Sequence, residues 1–225
     1  MAEFAFLRPQ PESGVLRLSD LAVVAASLRR GGLAVLPTET GYMLAAPATS
    51  EPALLRAFAV KARPAAQVMH VACSSLTMIE TIGVLTTQAT HLLGAFTPGP
   101  LSVIIEKTAL LPDRLVTLDG TVGIRVPENA ATLQIIAEVG TPLTATSLNR
   151  SGEPAVAIDE AGLSELTWPD GEIVYVVEDP TSIRYESASA LVRVTGPEPE
   201  IIRAGPIDEA RIRATLGAVV TRPSW

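Results

Sequence analysis

"GGLAVLPTETGYML" occupies residues 31–44, and its reading decides the fold. The paired glycines end whatever precedes them, because glycine closes a helix in the left-handed conformation at little steric cost. Leu33 to Leu36 then read as a strand that runs into Pro37, with Thr38, Glu39 and Thr40 following it. Upstream, Asp20 can cap a helix whose apolar positions Leu21, Val24, Ala25 and Leu28 fall on one face. A helix feeding a strand that stops in small hydroxylic residues is a unit of a layered α/β domain.

Outward from that unit the alternation continues. Ser50-Glu51-Pro52 opens a second helix with Leu54, Leu55 and Phe58 inward, which must break by Pro64. "QVMHVAC" reads as a short strand, followed by a helix near 86–95, strands "LSVIIEK" and "TVGIRV", the helix "AATLQIIAEV" and the strand "PLTATS". A short helix near 159–166, strands "EIVYVV", "ASALVRV" and "EIIR", and a closing helix from Asp208 complete the series. Hairpin-like strand pairs favour a mixed sheet over a purely parallel one. The expectation is one α/β domain, a twisted mixed β-sheet with helices packed on its faces. Its expected bounds are 15–217, between an N-terminal extension at 1–14 and a C-terminal tail at 218–225.

Composition narrows the function. With 225 residues, 48% hydrophobic and 18% charged, the chain can bury a sizeable core without disulfides. The net charge of -7 and pI near 4.9 argue against a broad basic face for nucleic acid, although an arginine cluster can still hold a phosphate. Cys73 is the single cysteine and the two histidines, His70 and His91, stand apart, which argues against a Cys/His zinc site and for a buried structural thiol. No apolar run approaches the roughly 20 residues that span a bilayer. A cytoplasmic protein is expected.

Four strand ends stop in hydroxylic, basic or Gly/Pro residues: "LPTETGY", "VGIRVP", "TATSLNRSG" and "IIRAGP". In open α/β sheets ligands sit at strand ends and the loops beyond them, so these hydroxyls and arginines suggest an anionic ligand. Each also has a plainer reading. Thr38, Glu39 and Thr40 suit a turn, Arg125 and Arg203 suit edge charges, and Lys61 and Arg63 suit a helix C-terminus. His70 suits a half-buried core histidine, and Ser147 and Asn149 suit a turn cap. No nucleophile elbow, Walker loop, dinucleotide fingerprint or paired-carboxylate site is present in the sequence.

Taken in order, "GGLAVLPTETGYML", "KARP", "FTPGPLSVII", "GTVGIRVP", "PLTATSLNRSGEPA" and "IIRAG" resemble the motif series of the YrdC-like threonylcarbamoyl-AMP synthases, over roughly residues 15–207 and in their short, single-domain form. The resemblance implies a nucleotidyltransferase that converts L-threonine, bicarbonate and ATP, with Mg2+ on the ATP, to L-threonylcarbamoyl-AMP and pyrophosphate. A separate tRNA-modifying transferase would take the product, with direct tRNA binding weak or absent. It further implies that Thr40, His70, Arg125 and Ser189 hold threonine and bicarbonate, and that Lys61 and Arg63 face the triphosphate as the catalytic pair. Thr121, Ser147, Asn149, Ala155 and Arg203 would contact the nucleotide. No protein ligand for a metal is implied.

The sequence also departs from the family pattern. The segment at Ala65-Ala66-Gln67 is shorter, Ser189-Ala190-Leu191-Val192-Arg193 ends in an arginine where the family has an aspartate, and Gly41, Met43 and Thr97 replace usual residues. These changes leave two alternatives: a paralogue making a carbamoyl-adenylate from another amino acid or amine, and a noncatalytic nucleotide- or RNA-binding protein.

Overall fold

Pro37 lies inside a strand. In the computed structural model, which describes residues 2–62, 69–113, 119–150 and 154–220, β2 runs Ala34–Thr38 and pairs antiparallel with β3 (Gly41–Ala45), from Ala34↔Ala45 to Thr38↔Gly41. The Pro37 carbonyl accepts from Thr132 Oγ1 at 2.7 Å, so the polar edge of this residue faces away from β3. On that side the neighbouring strand β8 (Ile173–Val177) pairs only with Ala34 and Val35. A residue without an N–H is tolerated there because no ladder bond is asked of it.

The remaining elements in chain order are β1 (Glu3–Leu7), α1 (Leu18–Arg29), α2 (Glu51–Val60), β4 (His70–Ala72), α3 (Leu76–Ile82), α4 (Thr87–Phe96), β5 (Leu101–Glu106), β6 (Thr121–Arg125), α5 (Ala130–Val139), β7 (Leu143–Ser147), α6 (Glu160–Ser164), β9 (Ala190–Arg193), β10 (Glu200–Arg203) and α7 (Glu209–Val220). The strands form one mixed sheet in the order β1-β8-β2-β3-β7-β4-β6-β5-β9-β10. Pairs β1/β8, β8/β2, β4/β6 and β5/β9 are parallel and the rest antiparallel. The expected mixed α/β sheet is therefore the observed one.

Several expectations need correction in detail. Residues 3–7, assigned to an extension before the domain, form the edge strand β1, in register with β8 from Glu3↔Ile173 to Leu7↔Val177. The helix expected to be capped by Asp20 starts earlier, after Arg17, and Asp20 sits in its first turn, where a carboxylate still favours the helix dipole. Leu55 is exposed rather than inward. The final helix continues past residue 217 to Val220. Elsewhere the cap chemistry sets the starts: Ser50, Ser75, Thr86, Asn129 and Asp159 each accept a bond from the backbone N–H three residues on.

Two apolar layers cover the sheet unequally. On one face Leu21, Val24, Ala25 and Leu28 of α1 pack with Ile135 and Ile136 of α5 against Leu36, Met43, Ala45, Ala72 and Leu143. No residue of β5, β6, β9 or β10 belongs to that layer. On the other face Val35, Leu44, Val71, Val103, Ile124, Val174 and Val192 meet apolar residues of α2, α3, α4 and α7, including Leu54, Ile79, Leu93 and Ile212. The α1/α5 layer thus stops short of one half of its face, and the polar cleft lies there.

Candidate functional site

Side chains alternate along a strand, so the partner register decides what shares the uncovered face. Ala72 pairs with Arg125 and His70 with Ala145, which puts His70 and Arg125 on the same face. His70 can lie close to β6 because residue 123 is glycine. A Cβ there would stand 2.6 Å from His70 Cδ2 and 2.8 Å from Nε2.

These residues border a cleft of about 260 Å³ lined by Thr38, Thr40, Tyr42, His70, Ser102, Arg125, Thr146, Ser147, Ser189 and Arg203, among others. Its size suits a small polar molecule, just below the ~300–1,000 Å³ typical of ligand pockets.

Glu39, the middle of the β2/β3 turn region, organises one wall. Its side chain is wholly buried; one oxygen pairs with Arg125 Nη2, and the other accepts from the Glu128 N–H at 2.8 Å. The Glu39 carbonyl accepts from the N–H groups of Arg184 and Tyr185 at 2.9 and 3.1 Å, tying down the segment that leads to Ser189. Arg125 Nη1 donates to Thr40 Oγ1 at 3.1 Å, and its Nε is buried without a hydrogen-bond partner among the described residues. Burial pulls the Arg125 guanidinium down from its usual value; Glu39 opposes this and Arg203 adds to it. Arginine stays charged across the physiological range regardless.

The opposite wall is hydroxylic. Ser102 and Ser189, both buried, share a 2.8 Å hydrogen bond, and Arg203 donates from Nε to the Ser189 carbonyl at 3.0 Å and from Nη2 to Ser189 Oγ at 3.4 Å. Burial lowers the Arg203 guanidinium as well. At the far side the Tyr42 hydroxyl accepts from the Asp179 N–H at 3.0 Å, and burial chiefly raises this phenol.

Of the residues singled out from sequence, Thr40, His70, Arg125, Ser147, Ser189 and Arg203 line the cleft. The others do not. Lys61 is buried at the end of α2 and donates to the Ser147 carbonyl and, at 2.6 Å, to Asn149 Oδ1; Ser147 Oγ donates to the same Asn149 oxygen at 2.7 Å. The lysine therefore lies beside the cleft, at the end of β7. Thr121 donates to Asp119 Oδ1 at 2.8 Å, and Ala155 is exposed on the loop after β7. Arg63 and the short segment 65–67 lie outside the described residues. Sequence reasoning missed Ser102, Tyr42 and the Glu39–Arg125 pair; only Ser102 left a trace, as the hydroxyl interrupting the apolar run of β5.

A mixed α/β sheet with a small cleft of two arginines, an imidazole and clustered hydroxyls offers donors that suit a small anionic molecule. The family model Sua5_yciO_yrdC, described as "Telomere recombination", matches residues 26–205, and the chain belongs to this family. It is 34% identical over 206 residues to a putative threonylcarbamoyl-AMP synthase of Mycobacterium leprae, covering 90% of each chain. It is 25% identical over 210 residues to the uncharacterized protein YciO of Escherichia coli strain K12, covering 91% of this chain and 96% of that one. Among solved structures, P. abyssi Sua5 complexed with L-threonine superposes with a TM-score of 0.82 at 26% identity over 95% of this chain, which spans 61% of the Sua5 chain.

Proposed function

We propose that the chain makes L-threonylcarbamoyl-AMP and pyrophosphate from L-threonine, bicarbonate and ATP, in the cytoplasm, for threonylcarbamoyladenosine modification of tRNA by a separate transferase. The observation that carries this reading is the convergence of Thr40, His70, Arg125 and Ser189 on one cleft of amino-acid size, in a family with a member solved bound to L-threonine.

The chemistry asks little of the protein beyond placement. The threonine amine attacks CO2 derived from bicarbonate to form a carbamate N–C bond. A carbamate oxygen then attacks the α-phosphorus of ATP as the bond to the leaving pyrophosphate breaks. No protein nucleophile takes part, so the acceleration comes from holding the reactants in line and balancing charge. In this reading Arg125 receives the threonine carboxylate, while Thr40, His70 and Ser189 meet its polar groups. Lys61, at the end of α2, and Arg63 serve the triphosphate, and Thr121, Ser147, Asn149, Ala155 and Arg203 serve the nucleotide. Mg2+ accompanies ATP on its phosphate oxygens. Among the described residues no group of three or more His, Cys, Asp or Glu could hold a metal ion.

The test is pyrophosphate release by the purified chain. Release that requires threonine, bicarbonate and ATP together is the expected outcome. Release without threonine dependence overturns the assignment, and ATP binding without consumption under any amino acid points to the noncatalytic alternative. A second reading keeps adenylate chemistry and changes the amino acid; the likeness to YciO across nearly the whole chain favours keeping it. A panel of amino acids in the same assay separates the two, and threonine ranking first removes the second.

A further inference from the structure

The sheet ends at β1, and among the described residues no strand lies beyond it. Parallel pairing with β8 uses every second residue of β1. The Glu3 N–H donates to the Glu172 carbonyl at 2.9 Å, and the Leu7 carbonyl accepts from the Glu178 N–H at 2.8 Å. Residues 3, 5 and 7 therefore face β8, and the N–H and C=O groups of Phe4 and Phe6 point along the open edge. Such an edge is ordinarily blunted by charge, proline or a bulge. Phe4, Ala5 and Phe6 bring neither charge nor proline, and the register with β8 is unbroken from Glu3 to Leu7.

Beside this edge lies a groove of about 670 Å³, whose lining includes Phe4, Leu166 and Trp168 together with Glu3, Glu160 and Asp170. Among the described residues its lining holds no lysine or arginine. The Phe4 and Trp168 rings meet edge to face with centroids 5.6 Å apart. Trp168 Nε1 donates to the Leu163 carbonyl at 2.7 Å, so the indole offers the groove a ring surface rather than a donor. Both rings pack on the α2, α3, α4 and α7 layer, whereas the cleft opens on the face that α1 and α5 cover in part. Groove and cleft are separate sites.

We propose that the β1 edge and its groove form a docking surface for a basic, extended segment of a partner protein, which adds to the sheet as a further strand. The backbone groups of Phe4 and Phe6 supply the ladder, as in other cases of strand addition. Every second side chain of the added strand enters the groove. An arginine there lays its apolar stem over Phe4 and Trp168 and carries its charge to the carboxylates. The lining sets the sign of the partner: an acidic segment would be repelled by Glu3 and Glu160. A second copy of this chain, pairing through its own β1, would bring the same carboxylates to the same edge, where like charges destabilise the pair.

The probe is a capped peptide of about six residues, an ordinary strand length, that alternates arginine and valine. Titrated into the full chain by calorimetry, it should bind saturably, lose affinity with added salt, and hold its affinity in the presence of ATP and threonine. The matching glutamate and valine peptide should not bind. Joint replacement of two exposed residues, Glu3→Gln with Glu160→Gln, should weaken the arginine peptide at least about tenfold and leave pyrophosphate release unchanged. Unaltered peptide affinity in that variant overturns the proposal, as does displacement of the peptide by ATP and threonine, which would put it in the cleft.

Methylated peptides test strand addition on the unmodified chain and need no variant to fold. In an extended peptide the arginine amides all point to one edge and the valine amides to the other. N-methylating one set should lower affinity at least about tenfold, and N-methylating the other should leave it within about threefold. The damaging set reports whether the added strand runs parallel or antiparallel to β1. Equal effects of the two sets would mean that charge alone attracts the peptide, and they overturn the proposal. A dimer of the unmodified chain in sedimentation, dissolved by the peptide, would assign the edge to a second copy and overturn it too. Arginine amide binding as tightly as the peptide would make the groove a small-cation site, with the same consequence.

Discussion

Residue 123 shows how a site can depend on an absent side chain. A glycine in the middle of a strand ordinarily weakens it, yet at position 123 it leaves room for the His70 ring, which a Cβ would meet at 2.6–3.0 Å. Gly123→Ala should therefore move the imidazole rather than the backbone. The expected outcome is a small stability loss, about 1–3 kcal/mol, with amino-acid affinity reduced by about tenfold or more. Calorimetric titration with threonine and ATP checks it; an unaltered threonine affinity would mean that the ring position is irrelevant to binding. At this scale the sequence was informative about which residues mattered and silent about their partners. Thr40, Arg125 and Arg203 stood out because each lies where an apolar strand ends, and Ser189 only through the family resemblance. The pairing of Arg125 with Glu39 crosses 86 residues of sequence, and nothing local in either motif announces it. Lys61 was visible as a rare lysine, but its direction, toward Ser147 and Asn149, depends on where β7 ends relative to α2.

Among the elements, legibility followed length and punctuation. The helix at 130–139 was readable residue for residue, since Asn129 caps it and Gly140 closes it in the left-handed conformation at φ 79°. By contrast β1, β3 and α3 escaped. The strand "EFAFL" sits near the N-terminus and gains its meaning only from pairing with β8. β3 continues directly from the turn of β2, and α3 has 7 residues, too few for a clear helical period. The pair β9/β10 carries a constraint that the motif "IIRAG" hid. Beyond Arg203, Gly205 lies against the backbone that enters β9, and a Cβ there would stand 2.1 Å from the Ala190 nitrogen and 2.7 Å from the Ser189 carbonyl carbon. Backbone cannot step aside as an imidazole can. Gly205→Ala should cost about 1–3 kcal/mol and displace Ser189, breaking its register with Ser102 and Arg203. Urea unfolding should register the loss together with weakened amino-acid binding. A variant of unchanged stability would mean that the β9 entry is looser than this contact implies.

For the whole molecule, one sheet with an apolar layer on each face makes burial a global property, and Cys73 reports on it. The thiol, expected from its solitary occurrence to be structural, is fully buried in the layer formed with α2, α3, α4 and α7. Burial pushes it up to about 12 from an ordinary value of 9.0, because a thiolate there would lose its hydration. A group raised in the folded state contributes stability that is complete below its unfolded value and lost as pH climbs toward the folded one. Between pH 9 and about 12 the unfolded chain releases this proton while the folded chain retains it. Stability must then fall with pH by up to ~1.4 kcal/mol per unit from this group alone. Other titrating groups add their own pH dependence, but they are common to a Cys73→Ala variant and cancel in the difference. The stability advantage of the unmodified chain over Cys73→Ala should hence be constant from pH 7 to 9 and shrink from pH 9 to 11, measured by urea unfolding under reductant. A gap that does not change with pH would show that the thiol is solvated in the folded chain, and that the layer beneath β4 is open to water.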